Sequence, residues 1–243
     1  MFALSVLPAL LPPLFLLLLL SSRLRGGRAA FTLTAMLCGS PGGARLLAPR
    51  CVGKREALLC AAVCGTMSPM FFLGALADWT GSAPFARALY GVHIAAALLC
   101  GVPFAGRGAP NQQGAPRPLS LGEAALDAAR AMLIACVCVS VGRVMSAMIA
   151  CALRCLPPLP LALAGAFLES AGGVGALCAL GLPRQALAGL ISFVCAFGGL
   201  SIQAQNAAFL SKSGVKSGEL FLLGLLRGAL ALVLSLLVFG VRP

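Results

Sequence analysis

LPLALAGAFLESAGGVGALCALGL, residues 159–182, decides the fold. It is long and apolar enough to cross a bilayer, which takes about 20 residues as helix. Yet its middle holds Glu169-Ser170-Ala171-Gly172-Gly173. A charge at membrane depth costs roughly 2.5–3.5 kcal/mol even on a lenient scale, and paired glycines release the backbone from a helical path. The run is therefore expected to form two short helices joined by a break. Non-helical backbone at that depth survives only where protein buries it or it lines a cavity. A second run, AAFTLTAMLCGSPGGARLLA at 29–48, is broken in the same way by Gly39-Ser40-Pro41-Gly42-Gly43.

Outward from these two segments lie the clear candidates for spanning helices, at Phe2–Leu20, Ala57–Ala77, Phe85–Phe104, Ala125–Cys151, Gln185–Leu210 and Glu219–Gly240. The first has no basic residue before its apolar stretch and reads as a membrane helix with an outside N-terminus rather than a signal peptide. Hydrophobic residues make up 60% of the 243 and charged residues 10%, against about 25% charged in soluble domains. One Trp and one Tyr cannot furnish the aromatic girdles of a membrane β-barrel. The expected fold class is an all-α polytopic membrane protein, multi-pass in the cell membrane.

The net charge of +12 would suggest nucleic acid in a soluble chain. Here the basic residues sit in short gaps between apolar runs, and no aromatic-basic patch accompanies them, so no nucleic acid is expected. Positive charge on cytoplasmic loops accounts for them more simply. Arg23, Arg25 and Arg28 precede the first broken segment, and Arg45, Arg50, Lys54 and Arg55 end or follow it. If that segment enters and returns, these flanks share the cytoplasmic side with Arg107, Arg117, Lys212 and Lys216. Arg154, Arg184 and Arg242 fall on the other side.

A polar linker at 105–119, containing GRGAPNQQGAPRP, divides the chain into membrane halves at 1–104 and 120–243. Cys38-Gly-Ser-Pro-Gly-Gly aligns with Leu168-Glu-Ser-Ala-Gly-Gly at an offset of 130 (168 − 38), and Cys64 aligns with Cys195 at 131 (195 − 64). Each half would hold three crossings and one broken hairpin, an odd count of crossings that turns the second half upside down. This is the inverted-repeat plan of secondary transporters, whose sites lie where the repeats meet.

The breaks supply the first candidate site residues: Ser40, Gly42, Gly43, Ser170, Gly172 and Gly173. Exposed helix ends there favour ions, although small residues also serve close helix packing. Glu169 needs a cavity, a cation or a proton. Arg143 and Arg227 lie in other apolar runs and cannot shed their protons. Arg143 pairs with Glu169, helps bind an anion, or snorkels; Arg227, nearer its helix start, is expected to snorkel. The stretch around Gly198 and Gly199 adds Ser201, Gln203, Gln205 and Asn206, with Ser201 and Gln205 on one helix face. Four polar side chains beside a double glycine lean toward ligand contact rather than interhelical glue.

Eleven cysteines and one histidine give no CxxC and no metal-ligand spacing. The cysteines read as small buried hydrophobes, and His93 as a packing residue with proton shuttling as the other option. No nucleophile–base pair, paired carboxylates or P-loop is present, so neither enzymatic activity nor a cofactor is expected. Asp78, Glu123 and Asp127 are expected to be solvated.

CGSPGGA (38–44), CGTMSPMFFLGAL (64–76) and above all FGGLSIQAQ (197–205) resemble the sporulation integral membrane protein YlbJ (SpoVV) family. This family belongs to the nucleoside-recognition or gate-domain membrane proteins. The resemblance covers most of the chain in order. It implies a role in endospore formation, in the mother-cell-derived forespore membrane, moving dipicolinate. Gln203 stands where the family pattern has His, Ala171 has no proline counterpart to Pro41, and the chain is shorter than family members. The expected function is transport of a small polar or anionic solute, with a non-transporting scaffold of a sporulation complex as the alternative. The implied partners are the lipid bilayer, that solute and, as an option, a second copy of the chain.

Overall fold

The computed structural model describes residues 15–16, 28–51, 53–105 and 120–240. The expected first span, apart from residues 15 and 16, and the linker beyond Ala105 lie outside the described residues, as do Arg23, Arg25, Arg107, Arg117 and Arg242. The regular elements among the described residues are all helices, with no strand among them.

Helices α1 (Arg28–Cys38) and α2 (Gly42–Leu47) form the first broken segment. α3 (Lys54–Cys64) follows, then a π-helical turn (Phe71–Leu76) running into α4 (Ala77–Thr80), and α5 (Ala83–Gly101). α6 (Leu121–Ala152) opens the second half. After it come the second broken segment, α7 (Pro158–Leu168) and α8 (Ser170–Cys178), then α9 (Arg184–Phe197), α10 (Gly199–Leu210) and α11 (Ser217–Gly240). Among the described residues, four stretches are long and apolar enough to cross a membrane: Ala83–Phe104, Leu121–Ala152, Arg184–Ser213 and Ser217–Gly240.

Ala57–Ala77, expected as one uninterrupted helix, is instead cut at Gly65–Ser68. Gly65 has φ −75° and ψ 39°, off the helical path, and Pro69 has no N–H with which to continue the ladder. The run Gln185–Leu210 is cut at Gly198. Gly198 and Gly199 have φ of 85° and 67°, a left-handed conformation that glycine alone adopts without strain. Hydropathy hides these two breaks because no charge marks them.

Each broken segment folds back on itself. Gly43 lies against the Ala35 carbonyl and Gly173 against the backbone of Ala166, so neither position has room for a Cβ. The paired helices touch main chain to main chain, as small residues permit.

Side-chain contacts fix the direction of the long helices. Lys54 pairs with Glu219 at 2.6 Å, and Arg55 Nε donates to the Phe104 carbonyl at 3.2 Å. The start of α3, the end of the α5 segment and the start of α11 therefore share one end of the bundle. At the other end Phe85 meets Phe239, ring centroids 5.2 Å apart. Arg184 lies over Phe85 at 4.8 Å, and Gly240 lies beside Gln185. There α5 and α9 begin and α11 finishes.

Candidate functional site

Four interruptions meet inside the bundle. The tip of the first hairpin lies on the break after α3: Ser40 N donates to the Thr66 carbonyl at 2.8 Å, and Gly39 sits directly against Ser68 N. The tip of the second hairpin lies on the break after α9, where Gly199 packs against the Leu168 carbonyl and Ser170 N. In both places the turn between two short helices lies on the break between two others.

Beside the breaks, two sets of polar contacts join residues 28–105 to residues 120–240. Ser40 Oγ lies 3.3 Å from Gln205 Oε1 and 3.0 Å from Asn206 Oδ1. A hydroxyl has one proton, so it donates to one amide at a time. The second crossing is Arg227, only 2% exposed. Its Nε donates to the Ala196 carbonyl at 2.6 Å, Nη1 to Ala61 and Ala62 at 2.8 and 3.0 Å, and Nη2 to Gly65. Arg227 does not snorkel; it closes the C-terminal carbonyls of α3 and α9 together. Gly65 and Ala196 are separated by 131 residues (196 − 65), the offset that aligns Cys64 with Cys195. Gln203 completes the end of α9, its Nε2 donating to the Phe197 carbonyl at 2.8 Å.

The second group of expected site residues gathers elsewhere. Glu169 is 2% exposed and caps α8: Oε1 accepts from Ala171 N and Oε2 from Gly172 N, both at 2.8 Å. Arg143 Nε lies 3.2 Å from Glu169 Oε2, its side chain 40% exposed. The Arg143–Glu169 pair is present, and the carboxylate occupies the positive end of α8 that could otherwise attract an outside anion. Gly172 lies under the Arg143 guanidinium and Gly142 against the Glu169 stem, leaving no space for larger residues. Gly42 is buried in the first turn of α2.

The candidate residues therefore divide. Ser40, Gln205 and Asn206 meet at the crossing, together with Gly65 and Arg227. Glu169, Ser170, Arg143, Gly172 and Gly173 meet at the second hairpin. Gln203 ends a helix. Among the described residues, the buried hydroxyls of Thr66, Ser170, Ser192 and Ser201 and both nitrogens of His93 have no hydrogen-bond partner. A buried polar atom left so costs about 1–3 kcal/mol, and such atoms mark places where water or solute can bind. His93 packs on Phe72, ring centroids 4.9 Å apart. Counted from their helix starts (217 − 83 = 134), it holds in α5 the place that Arg227 holds in α11.

Asp127, expected to be solvated, pairs with Arg45 of α2. Glu123 is committed to a capping box with Ser120. The two line a groove of about 550 Å³ with Arg45, Leu126, Ala129, Arg130 and Leu133. Cys38, Cys60, Cys64, Cys100 and Cys195 are buried as expected, while Cys151 and Cys155 are exposed. Among the described residues no group of three His, Cys, Asp or Glu could hold a metal ion.

With four stretches fit to cross a membrane among the described residues, and with charged and amide side chains closing helix breaks between them, the chain belongs to the membrane proteins by class. No protein-family model, curated protein or solved structure matches it.

Proposed function

We propose that this chain is an inverted-repeat transporter that moves a small polar or anionic solute across the cell membrane. The observation that carries the reading is the meeting of four helix breaks around buried polar groups, several of them without a protein partner. Soluble-side scaffolding needs no such interior. Discontinuous helices meeting near the midplane are how secondary transporters present backbone and side-chain groups to a solute.

The order and direction of the elements support the repeat. Hairpin, broken helix and long helix follow one another in each half, with hairpin starts 130 apart (158 − 28) and broken-helix starts 130 apart (184 − 54). α3 begins at the end of the bundle where α5 finishes and α11 begins, whereas α9 begins at the end where α11 finishes. Corresponding helices of the two halves therefore point in opposite directions, as inverted repeats require. On this reading the broken pairs α1–α2 and α7–α8 are re-entrant hairpins, the first with its tip on the crossing and the second with its tip on Gly199.

Dipicolinate is the first solute to try, through the resemblance to the spore-membrane family, and the forespore membrane is the location that resemblance supports. The test is uptake of labelled dipicolinate, with uridine as an uncharged comparison, into proteoliposomes holding the full chain or its Gln205→Ala variant. Saturable uptake that the variant loses supports transport and puts the solute at the crossing. No uptake of either solute by folded, inserted protein would favour the scaffold.

A further inference from the structure

We propose that Arg227 is a tethered cation filling a monovalent-cation site built from the ends of two helices. The site has the composition of an ion site. The carbonyl oxygens of Ala61, Ala62, Gly65 and Ala196 converge on one guanidinium. They come from the C-terminal ends of α3 and α9, one from each half of the chain. Unwound carbonyls at such half-helix ends are the groups that hold sodium ions in discontinuous-helix membrane proteins.

The charges balance without any acid. A helix C-terminus carries roughly −0.5 of an elementary charge, so two of them offset about one positive charge. Arg227 supplies that charge and cannot lose it. Among the described residues no carboxylate lies within ion-pair distance of it. Gly65 would press a Cβ against Asn206 Nδ2 and Arg227 Nη1 at 2.7 and 3.0 Å, so the backbone there is shaped around the guanidinium.

With Arg227 in place the helix ends are neutralised, and no dissolved cation is needed there. Without it, four carbonyl oxygens face an empty, net-negative spot. This inference stands whether or not the chain transports, because its readout is stability.

The experiment measures the thermal midpoint of the full chain in detergent, in chloride salts of choline, sodium, potassium and guanidinium at equal ionic strength. Guanidinium at about 10 mM is far below its denaturing range. The wild-type midpoint should be the same in all four. Arg227→Ala should be destabilised in choline and regain about 5 °C or more in guanidinium or sodium. An alanine variant with one midpoint in all salts overturns the proposal, as does a wild type that itself needs sodium. Should Arg227→Ala not be recovered folded, Arg227→Lys and Arg227→Met decide. Lysine keeps the charge and should fold without added salt while methionine does not; equal recovery of the two, or of methionine alone, overturns it.

Discussion

Replacing Glu169 by Gln changes one atom and asks what holds the second hairpin open at its tip. The carboxylate now accepts from Ala171 N and Gly172 N at 2.8 Å and meets Arg143 Nε at 3.2 Å. Glutamine keeps a single acceptor oxygen and turns an NH2 donor toward the other N–H groups. At least one charge-assisted bond, worth roughly 1.5–3 kcal/mol, is lost. The favourable charge at the start of α8 adds roughly 0.3–1 kcal/mol. Arg143 is well exposed, so its pair is discounted to about 0–1 kcal/mol. The expected loss is about 3 kcal/mol, or roughly 6–12 °C in midpoint for a chain of this size. Thermal unfolding in detergent reads it directly. Arg143→Gln alone should cost under about 1 kcal/mol. Glu169→Asp, still able to cap the helix, should cost less than Glu169→Gln. A glutamine variant within about 0.5 kcal/mol of wild type would refute the view that the carboxylate secures this break.

Three further outcomes are expected. Gly173→Val should abolish folded yield by driving a side chain into the Ala166 backbone, while Gly91→Ala, which meets nothing within 4 Å, should gain about 0.5–1 kcal/mol; size-exclusion profiles and thermal midpoints separate the two. Ser40→Ala should cost about 1–2 kcal/mol by removing the one hydroxyl donor that Gln205 and Asn206 share and should slow uptake more than it lowers stability. In an otherwise cysteine-free chain, membrane-impermeant thiol reagent should reach Cys155 and a cysteine placed by Lys216→Cys from opposite faces of the membrane; labelling from the same face would contradict the antiparallel halves.

Much of the architecture is legible in the sequence because membrane helices obey hydropathy and length. The broken segments are legible too: Glu169 and the glycines of 39–43 violate the apolar run openly, and the Arg143–Glu169 pair follows from asking where a stranded carboxylate finds its cation. Arg227 is the opposite case. Its partners are main-chain carbonyls, identical at every residue, and they become acceptors only because α3 and α9 end where they do. Those ends carry no charge to betray them. Gly65 followed by Ser68-Pro69, and Gly198 beside Gly199, are the signals available, and reading them as helix ends directs a nearby intramembrane arginine to the freed carbonyls rather than to the interface. Gln203 illustrates the same point, since its amide serves Phe197.

The bond from Arg227 to Gly65 spans 162 residues of sequence. A ribosome adding about 5–20 residues per second delivers the arginine roughly 8–30 s after the glycine. For that interval the carbonyls at the end of α3 lack the donor that closes them in the folded chain. Birth order thus makes the end of α3 a dependent of α11: its carbonyls receive this donor only when that later helix arrives.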